Sequence, residues 1–305
     1  MPNPKNPSNQ KPRHAGGAQA PAKLGPKAAA KAAKKRLGAR PAGPGGHANR
    51  LSRNVPAGAV TLERHALVYL NVPKSACTTI KNQMYFMEHG RYIDEPLDIH
   101  AHDGLLRSRE STPETLALFN AKLAQPHLAF TFVRHPGKRA YSCFGEKIFN
   151  QSKYSFPKIR DYIAQHYPLA LPAAGDAGYT LAQHRANFMA FLDFVGDNFN
   201  GKTEIRTDAH WGRQSTILDH FQRFFYIDFI GRVEDFSRQF AYVVEQARPL
   251  NRPDLSVRFN EGPKPPYSYE EIATPEVEQR LRELYAEDYQ RLGYLAEPAT
   301  PPAQG

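Results

Sequence analysis

Residues Leu67 to Lys81 read Leu-Val-Tyr-Leu-Asn-Val-Pro-Lys-Ser-Ala-Cys-Thr-Thr-Ile-Lys, and this stretch decides the fold. Its first six residues are β-rich and almost wholly apolar, which is typical of a central strand in a parallel sheet. Pro73 ends the strand because it has no N–H to donate to a neighbour. A polar turn around Lys74 then leads into helical sequence. Since a helix N-terminus presents free N–H groups and a positive dipole end, the stretch predicts an anion-binding turn.

The same order of strand, polar turn and helix occurs again further along the chain. Leu128–Val133 is an apolar strand, Arg134-His135-Pro136-Gly137 is the turn, and helical sequence runs from about Lys138 to Phe149. A crossover helix that starts at Ser111-Thr-Pro-Glu114 separates the two units. Two such units predict a parallel α/β sheet with ligands at the carboxyl ends of its strands.

Helical periodicity, caps and apolar runs place the remaining elements. Further predicted helices cover residues 79–88, 180–194, 236–246 and 274–292. A third strand is predicted over Phe224–Ile230. Residues 90–111 and 260–270 are predicted loops, and residues 151–178 are predicted to hold one short helix and a long loop.

Composition divides the chain into three parts. Residues 1–50 hold eleven Lys or Arg and no Asp or Glu; removing them from the 40 basic residues leaves 29 basic against 30 acidic. The net charge of +10 therefore belongs to the tail, which argues against a basic nucleic-acid-binding domain. Few large aliphatics occur before residue 58, so we expect a disordered basic tail at 1–58, a folded domain at 59–295 and a second tail at 296–305. The basic tail is a solubilising segment, an arm for nucleic acid or anionic lipid, or a transit peptide.

Several classes of protein are excluded or disfavoured. Two cysteines, Cys77 and Cys143, do not make a disulfide framework and fit a reducing compartment. No apolar run approaches 18 residues, and no secretory signal is evident. The first turn lacks the glycines of the Gly-x-x-x-x-Gly-Lys-Ser/Thr loop of nucleotide kinases and GTPases, and Gly-x-Gly-x-x-Gly is absent.

Four blocks, in order, resemble a known family. Residues 72–81, the first motif, are similar to the 5′-phosphosulfate loop of carbohydrate sulfotransferases that use 3′-phosphoadenosine 5′-phosphosulfate (PAPS). Residues 132–142, the second motif, resemble the 3′-phosphate motif, an Arg-x-Pro with a Ser eight residues after the Arg. His210-Trp211 with residues 226–234, and residues 260–294, resemble further segments of the branch that contains the chondroitin and HNK-1 enzymes.

The resemblance implies a P-loop-NTPase-like three-layer α/β fold with a central parallel sheet flanked by helices, PAPS as sulfuryl donor, a carbohydrate acceptor and no metal. The donor-site residues that it implies are Pro73, Lys74, Ser75, Ala76, Cys77, Thr78, Thr79 and Lys81 in the first motif and Arg134, Arg139 and Ser142 in the second. Main-chain N–H groups of residues 76–79 would hold the 5′-phosphate, and the Thr78 and Thr79 hydroxyls would add to them. Lys74 would neutralise the leaving group.

In the second motif, Arg134 would grip the 3′-phosphate, with Ser142 donating from the following helix. Arg139 is a second phosphate contact or an exposed helix residue. His135 stands where relatives carry Asp or Glu, and we interpret it as structural.

A base near the acceptor hydroxyl is also required. Family members often place a His between the two motifs, where this chain has His100 and His102 flanked by Asp98 and Asp103. Of the pair, His102 is favoured because it stands closer to the Leu105-Leu106 pair. His210 is a second candidate, at the acceptor or nucleotide site.

Other residues near the motifs carry open alternatives. Two roles are open for Trp211, Tyr267 and Tyr269: stacking on a sugar or adenine ring, or packing in the core. Cys77 and Cys143 are interpreted as small buried hydrophobes rather than a redox switch.

Two rival readings concern the whole protein. An atypical kinase of the same superfold would need an acidic Mg²⁺ ligand at a strand end. The candidate is Asp228, but it lies in the middle of the predicted third strand, and the Walker Gly-Lys is missing. The other is a non-catalytic binding protein. The animal relatives are Golgi-anchored and this chain shows no anchor, so we expect a cytoplasmic enzyme of bacterial type.

Overall fold

The computed structural model of the protein describes residues 58–100, 105–107, 113–173, 176–224, 226–259 and 264–295. The predicted tails lie outside these residues except for Gly58, and so does His102. The strands are β1 (Ala59–Thr61), β2 (Leu67–Leu70), β3 (Leu106–Arg107), β4 (Leu128–Val133) and β5 (Phe229–Arg232). The helices are α1 (Cys77–His89), α2 (Pro113–Leu123), α3 (Pro136–Cys143), α4 (Pro157–His166), α5 (Leu181–Phe199), α6 (Gln214–Gln222), α7 (Phe236–Ala247), α8 (Tyr269–Ile272), α9 (Pro275–Leu284) and α10 (Ala286–Arg291). Short 3₁₀ turns cover Pro96–His100 and Val233–Asp235, and a π-helical turn covers Phe144–Phe149.

The five strands form one mixed sheet in the order β3-β1-β2-β4-β5. β2, β4 and β5 run parallel, whereas β1 pairs antiparallel with both β2 and β3. The prediction of a parallel sheet is thus right for the three strands that carry the two motifs and wrong for the other edge. The two antiparallel strands were not predicted, because three and two residues are too few to show a periodicity.

Alternate residues of each strand face opposite sides of the sheet. Val68 and Ala129 belong to one apolar core, which includes side chains of α3, α5, α6, α9 and α10. Tyr69 and Phe130 belong to the other, which includes side chains of α1 and α7. Helices therefore cover both faces, and the predicted α/β class with flanking helices is confirmed.

The helix predicted over residues 138–149 is instead α3 followed by the π-helical turn. α3 begins at Pro136, and the His135 side chain caps it by accepting a hydrogen bond from the N–H of Lys138 at 3.4 Å. This cap is a structural role, as the sequence predicted for His135. In the π-helical turn the N–H of Asn150 donates to the carbonyl of Gly145, and the wider turn carries Glu146 and Lys147 toward the first motif.

The third strand and the last helix also differ from prediction. β5 starts five residues later than predicted and includes Gly231, where an added Cβ would come within 2.5 Å of the Phe132 ring. The last helix breaks at Tyr285, whose buried hydroxyl donates to the carbonyl of Trp211 at 2.8 Å. Helix α6 was not predicted at all.

Candidate active site

The turn between β2 and α1 presents free main-chain donors. Lys74 and Ala76 have φ angles of 66° and 61°, in the left-handed region that non-glycine residues rarely adopt. No side chain caps α1, and its first turn holds no acid. Within the described part of the chain, the N–H groups of residues 76–79 have no hydrogen-bond acceptor. Four aligned donors at the positive end of a 13-residue helix form a site for an anion.

The hydroxyl groups of this turn are mostly engaged by the protein itself. The buried Ser75 donates to the side-chain oxygen of Gln214 at 3.3 Å. Thr79 donates to the carbonyl of Phe259 and accepts from its N–H, each at 3.0 Å. The Thr79 hydroxyl is therefore engaged on both sides, and its role toward a phosphate stays a prediction. The anion site depends chiefly on the main chain.

The hydroxyl of Thr78 accepts a hydrogen bond from His100 and so has its own proton left to donate, because His100 is fixed in one tautomer. The Lys81 ammonium lies 3.1 Å from Nδ1 of His100, and an ammonium can only donate, so Nδ1 accepts. The proton of a neutral His100 then resides on Nε2, which donates to the Thr78 hydroxyl at 2.9 Å. Thr78 is left with an O–H to give to an anion. Lys81 and His100 thus orient a ligand-binding hydroxyl.

Lys74 is held by a carboxylate of the π-helical turn. Its ammonium lies 2.5 Å from Oε2 of Glu146, and Lys147 approaches the same oxygen at 3.4 Å. Burial by itself raises the pKa of Glu146, but the two lysines outweigh burial and the pKa is lowered from its ordinary value. Glu146 is therefore ionised at neutral pH, and it places the Lys74 ammonium beside the turn.

Arg134 and Ser142 lie at the end of the neighbouring strand, β4. The guanidinium of Arg134 is half-buried and has one long contact in the described residues, from NH1 to the carbonyl of Lys74 at 3.5 Å. Burial lowers the pKa of Arg134, and the Glu234 carboxylate opposes that effect. Ser142, on α3, is half-buried and has no hydrogen-bond partner within the described chain. Both predicted 3′-phosphate residues thus retain donors for a ligand.

Gln214 joins the two turns. Its Oε1 accepts from the Ser75 hydroxyl and, at 3.0 Å, from the N–H of Arg134, while its Nε2 donates to the Arg134 carbonyl at 2.8 Å. Gln214 is completely buried at the start of α6. The buried carboxylate of Asp288 holds that helix end by accepting from the N–H groups of Gln214 and Ser215 at 2.8 and 2.7 Å.

Arg139 is buried, and its side chain binds the main chain. The prediction of an exposed helix residue is wrong, because only 1% of Arg139 is accessible. Its guanidinium donates to three main-chain carbonyls, those of Pro73 at 2.9 Å, Gly212 at 2.8 Å and Ala209 at 2.5 Å. Arg139 therefore clamps the first motif to the turn at residues 208–212. The alternative role as a phosphate contact stays a prediction.

The clamped turn carries His210 and Trp211. Asp208 Oδ1 accepts from the N–H of His210 at 2.8 Å and lies 2.6 Å from Nδ1 of its ring. Trp211 is 1% exposed, and its indole N–H donates to Asn198 at 2.9 Å. A fully buried indole has no face open to a sugar, so the predicted stacking role of Trp211 is wrong and its core alternative is right.

Asp228 lies at the other end of the sheet. It directly precedes β5, and its carboxylate accepts from the N–H of Ala129, the second residue of β4, at 2.9 Å. The two anion-binding turns follow the carboxyl ends of β2 and β4. Asp228 is therefore placed away from them, and the kinase alternative loses its metal-binding candidate.

Residues 58–295 match the model of the sulfotransferase family. The chain belongs to this family. Carbohydrate sulfotransferase 12 of Mus musculus is 26% identical over 253 residues, which are 76% of this chain and 58% of that protein. Carbohydrate sulfotransferase 11 of Mus musculus and of Rattus norvegicus are each 25% identical over 202 residues, 61% of this chain and 51% of theirs.

The sulfotransferase chain spans between half and three fifths of the length of these curated relatives. No solved structure matches it. Among the described residues, no helix combines the length and the apolar character that a membrane crossing requires. The same residues hold no group of three or more His, Cys, Asp or Glu side chains that is placed to bind a metal ion.

Sequence reasoning missed four residues of the candidate site: Glu146, Asp208, Gln214 and Asp288. Glu146, Gln214 and Asp288 each contact a residue at least 70 positions away in the chain. Asp208 contacts the nearby His210, but only the fold brings their turn to the site. Local signals existed for two of them. One is the Asp-x-His spacing of residues 208–210. The other is Asp288, an acid on an otherwise apolar face of its helix.

Proposed function

We propose that this sulfotransferase moves a sulfuryl group from PAPS to a hydroxyl of a carbohydrate and releases 3′-phosphoadenosine 5′-phosphate (PAP). The observation that carries the proposal is the pair of anion-binding turns at the carboxyl ends of adjacent parallel strands. PAPS has two separate anionic groups, a 5′-phosphosulfate and a 3′-phosphate. One buried side chain, Gln214, fixes the two turns relative to each other.

The residues of the first turn fit the 5′ end of the donor. The four N–H groups of residues 76–79 lack acceptors in the described chain, and the Thr78 hydroxyl retains its proton. These donors would hold the phosphate. Lys74 would neutralise the charge that develops on the oxygen between phosphorus and sulfur, where a preorganised cation has its largest effect.

The residues of the second turn fit a phosphate monoester. Arg134 offers a half-buried guanidinium, whose planar fork suits bidentate binding of phosphate, and Ser142 adds a hydroxyl from α3. The carbohydrate nature of the acceptor is supported by the names of the relatives. A His as general base belongs to the same proposal; the sequence favours His100 and His102 and gives His210 as a second candidate.

Calorimetric titration with two nucleotides tests the donor site. PAP and adenosine 5′-monophosphate differ by the 3′-phosphate. Arg134→Met should weaken PAP binding by about tenfold to a hundredfold, the loss of a charge-assisted contact of about 1.5–3 kcal/mol, and should leave 5′-monophosphate binding unchanged. Lys202→Met, at an exposed surface ion pair, is the matched control. Absence of PAP binding to the wild-type protein would refute the proposal.

Transfer itself is measured with ³⁵S-labelled PAPS over a panel of hydroxylated glycans that includes unsulfated chondroitin. We expect Lys74→Ala to abolish transfer while PAP still binds. Arg134→Met should mainly raise the PAPS concentration that half-saturates the enzyme. Equal damage to kcat from both variants would contradict the separate roles.

A further inference from the structure

The Asp208–His210 pair has the arrangement of an oriented general base. Asp208 lies 2.6 Å from Nδ1 of the imidazole and also accepts the His210 N–H. Burial raises the pKa of Asp208, but the contacts with His210 and the charge of Lys147 outweigh it, so the pKa is lowered. An ionised carboxylate can only accept, so Nδ1 carries the proton and Nε2 carries the lone pair. Nε2 has no hydrogen-bond partner among the residues that the structure describes.

The imidazole is neutral and reachable. Burial lowers the pKa of His210 most, Asp208 raises it, and the positive charges of Lys147 and Lys74 lower it further. The net direction is downward from 6.5, so the ring is uncharged at neutral pH and able to take a proton. Its side chain is 28% exposed, which leaves room for an acceptor hydroxyl to approach.

His210 also lies close to Lys74, across the cluster that Arg139 and Phe156 build. The Arg139 guanidinium binds the carbonyls of Pro73 and Ala209 at once, so the residues that precede Lys74 and His210 are one guanidinium apart. The imidazole packs edge-on to the ring of Phe156, with 5.2 Å between ring centroids. Lys147, the partner of Glu146, lies 5.0 Å from the centre of the same Phe156 ring. These contacts place His210 in one cluster with Lys74.

His100 is less suited to the role. Both of its ring nitrogens are engaged, Nδ1 by the Lys81 ammonium and Nε2 by the Thr78 hydroxyl. The lone pair of its neutral form faces a cation, so accepting a proton would require Lys81 to leave. Its contacts suit orientation of the phosphate-binding hydroxyl instead.

We propose that His210, oriented by Asp208, is the general base that takes the proton of the acceptor hydroxyl. The inference rests on the proposed function. As the acceptor oxygen bonds to sulfur, its proton passes to Nε2 of His210. The bond between sulfur and the bridging oxygen breaks, and its electron pair remains on the phosphate oxygen, beside the Lys74 ammonium. Asp208 stabilises the imidazolium until its proton passes to water.

The test compares pH–rate profiles of the full-length wild type, His210→Gln, Asp208→Asn and, as control, His166→Gln, with ³⁵S-labelled PAPS and the acceptor that the glycan panel identifies. We expect kcat of His210→Gln to fall by about 10²- to 10⁴-fold while PAP affinity and the urea midpoint stay unchanged. Asp208→Asn should lower kcat less and shift the acid limb to lower pH, because Asp208 raises the pKa of His210. His166 is exposed on α4, so its variant should match wild type.

The outcomes separate the two proposals. Wild-type kcat and an unmoved acid limb in His210→Gln would overturn the base assignment and leave the sulfotransferase reaction in place. A large kcat loss in His100→Gln with none in His210→Gln would give the role to His100. If no glycan is sulfated by the wild type, the proposed function fails, and this inference fails with it. Should His210→Gln not fold, an unchanged acid limb in Asp208→Asn would be enough to reject the dyad.

Discussion

The clamp made by Arg139 gives the sharpest test of how the site is built. Arg139→Met removes a guanidinium that is 1% exposed and donates to the carbonyls of Pro73, Ala209 and Gly212. Arg134→Met is the matched comparison, because it is the same chemical change at a half-buried residue with one contact of 3.5 Å in the described chain. The first change should damage the fold, and the second should damage ligand binding.

The size of the effect follows from the contacts. Three hydrogen bonds from a charged donor are worth about 1.5–3 kcal/mol each, or about 5–9 kcal/mol together. Removing a buried charge returns several kcal/mol of desolvation cost, and the methionine side chain refills part of the volume. We therefore expect Arg139→Met to lower the free energy of unfolding by about 3 kcal/mol, which for a domain of this size is a fall in Tm of about 6–12 °C.

Urea unfolding of both variants without ligand, followed by calorimetric titration with PAP, measures the two effects separately. Arg134→Met should unfold within about 0.5 kcal/mol of wild type and bind PAP more weakly. The reasoning is refuted if Arg139→Met unfolds like wild type and loses PAP binding, since Arg139 would then be a phosphate ligand, as one sequence-based alternative holds.

Three further predictions concern ionisable groups that are buried or half-buried. Glu146→Gln should lower the free energy of unfolding by about 1–2 kcal/mol at pH 7. Because Lys74 helps to lower the pKa of Glu146 from 4.5, the difference in stability between the variant and the wild type should shrink as the pH falls below 4.5. Urea unfolding at several pH values measures this. Asp288→Asn should cost about 2 kcal/mol by weakening the cap of α6, whereas Glu287→Gln on the exposed side should change the urea midpoint little. Burial lowers the pKa of His184 from 6.5 to about 4. As the pH falls, His184 is therefore protonated in the unfolded chain before it is protonated in the native state. The free energy of unfolding should fall by up to about 3 kcal/mol between these two pH values. His184→Gln should lack this acid-side loss, and an equal loss in the variant would contradict it.

Local patterns predicted the parts of the fold that local physics determines. β4 has the predicted bounds, because five of its six residues are apolar and the run lies between a turn and Arg134. The predicted start of the last helix at residue 274 is also confirmed, since a hydroxyl before Pro and Glu is a local signal and Thr274 accepts from the N–H of Val277. The extent of β5 was not, because the Phe132 ring decides where Gly231 lies and that contact joins residues 99 positions apart.

The candidate site divides in the same way. Lys74 and Arg134 could be found from their motifs, since each follows a predicted strand in a polar turn. What holds them could not be predicted, because Glu146 reaches Lys74 through a π-helical turn and Gln214 reaches Arg134 from a helix that begins 80 residues later. Arg139 has the sequence position of an ordinary helix residue. Only the fold shows that its side chain turns inward.

These supports explain how a turn with free main-chain donors can be built without glycine. Lys74 and Ala76 adopt left-handed φ angles, each of which costs roughly 1–2 kcal/mol for a residue with a Cβ. The residue between them, Ser75, is buried and bonded to Gln214, and the residue before them, Pro73, is held by Arg139. Each support is itself buried, so the turn cannot relax to relieve the strain without breaking the core. Its N–H groups therefore keep their direction before any ligand binds, and Lys74 gains a fixed side chain at a position where glycine would offer none.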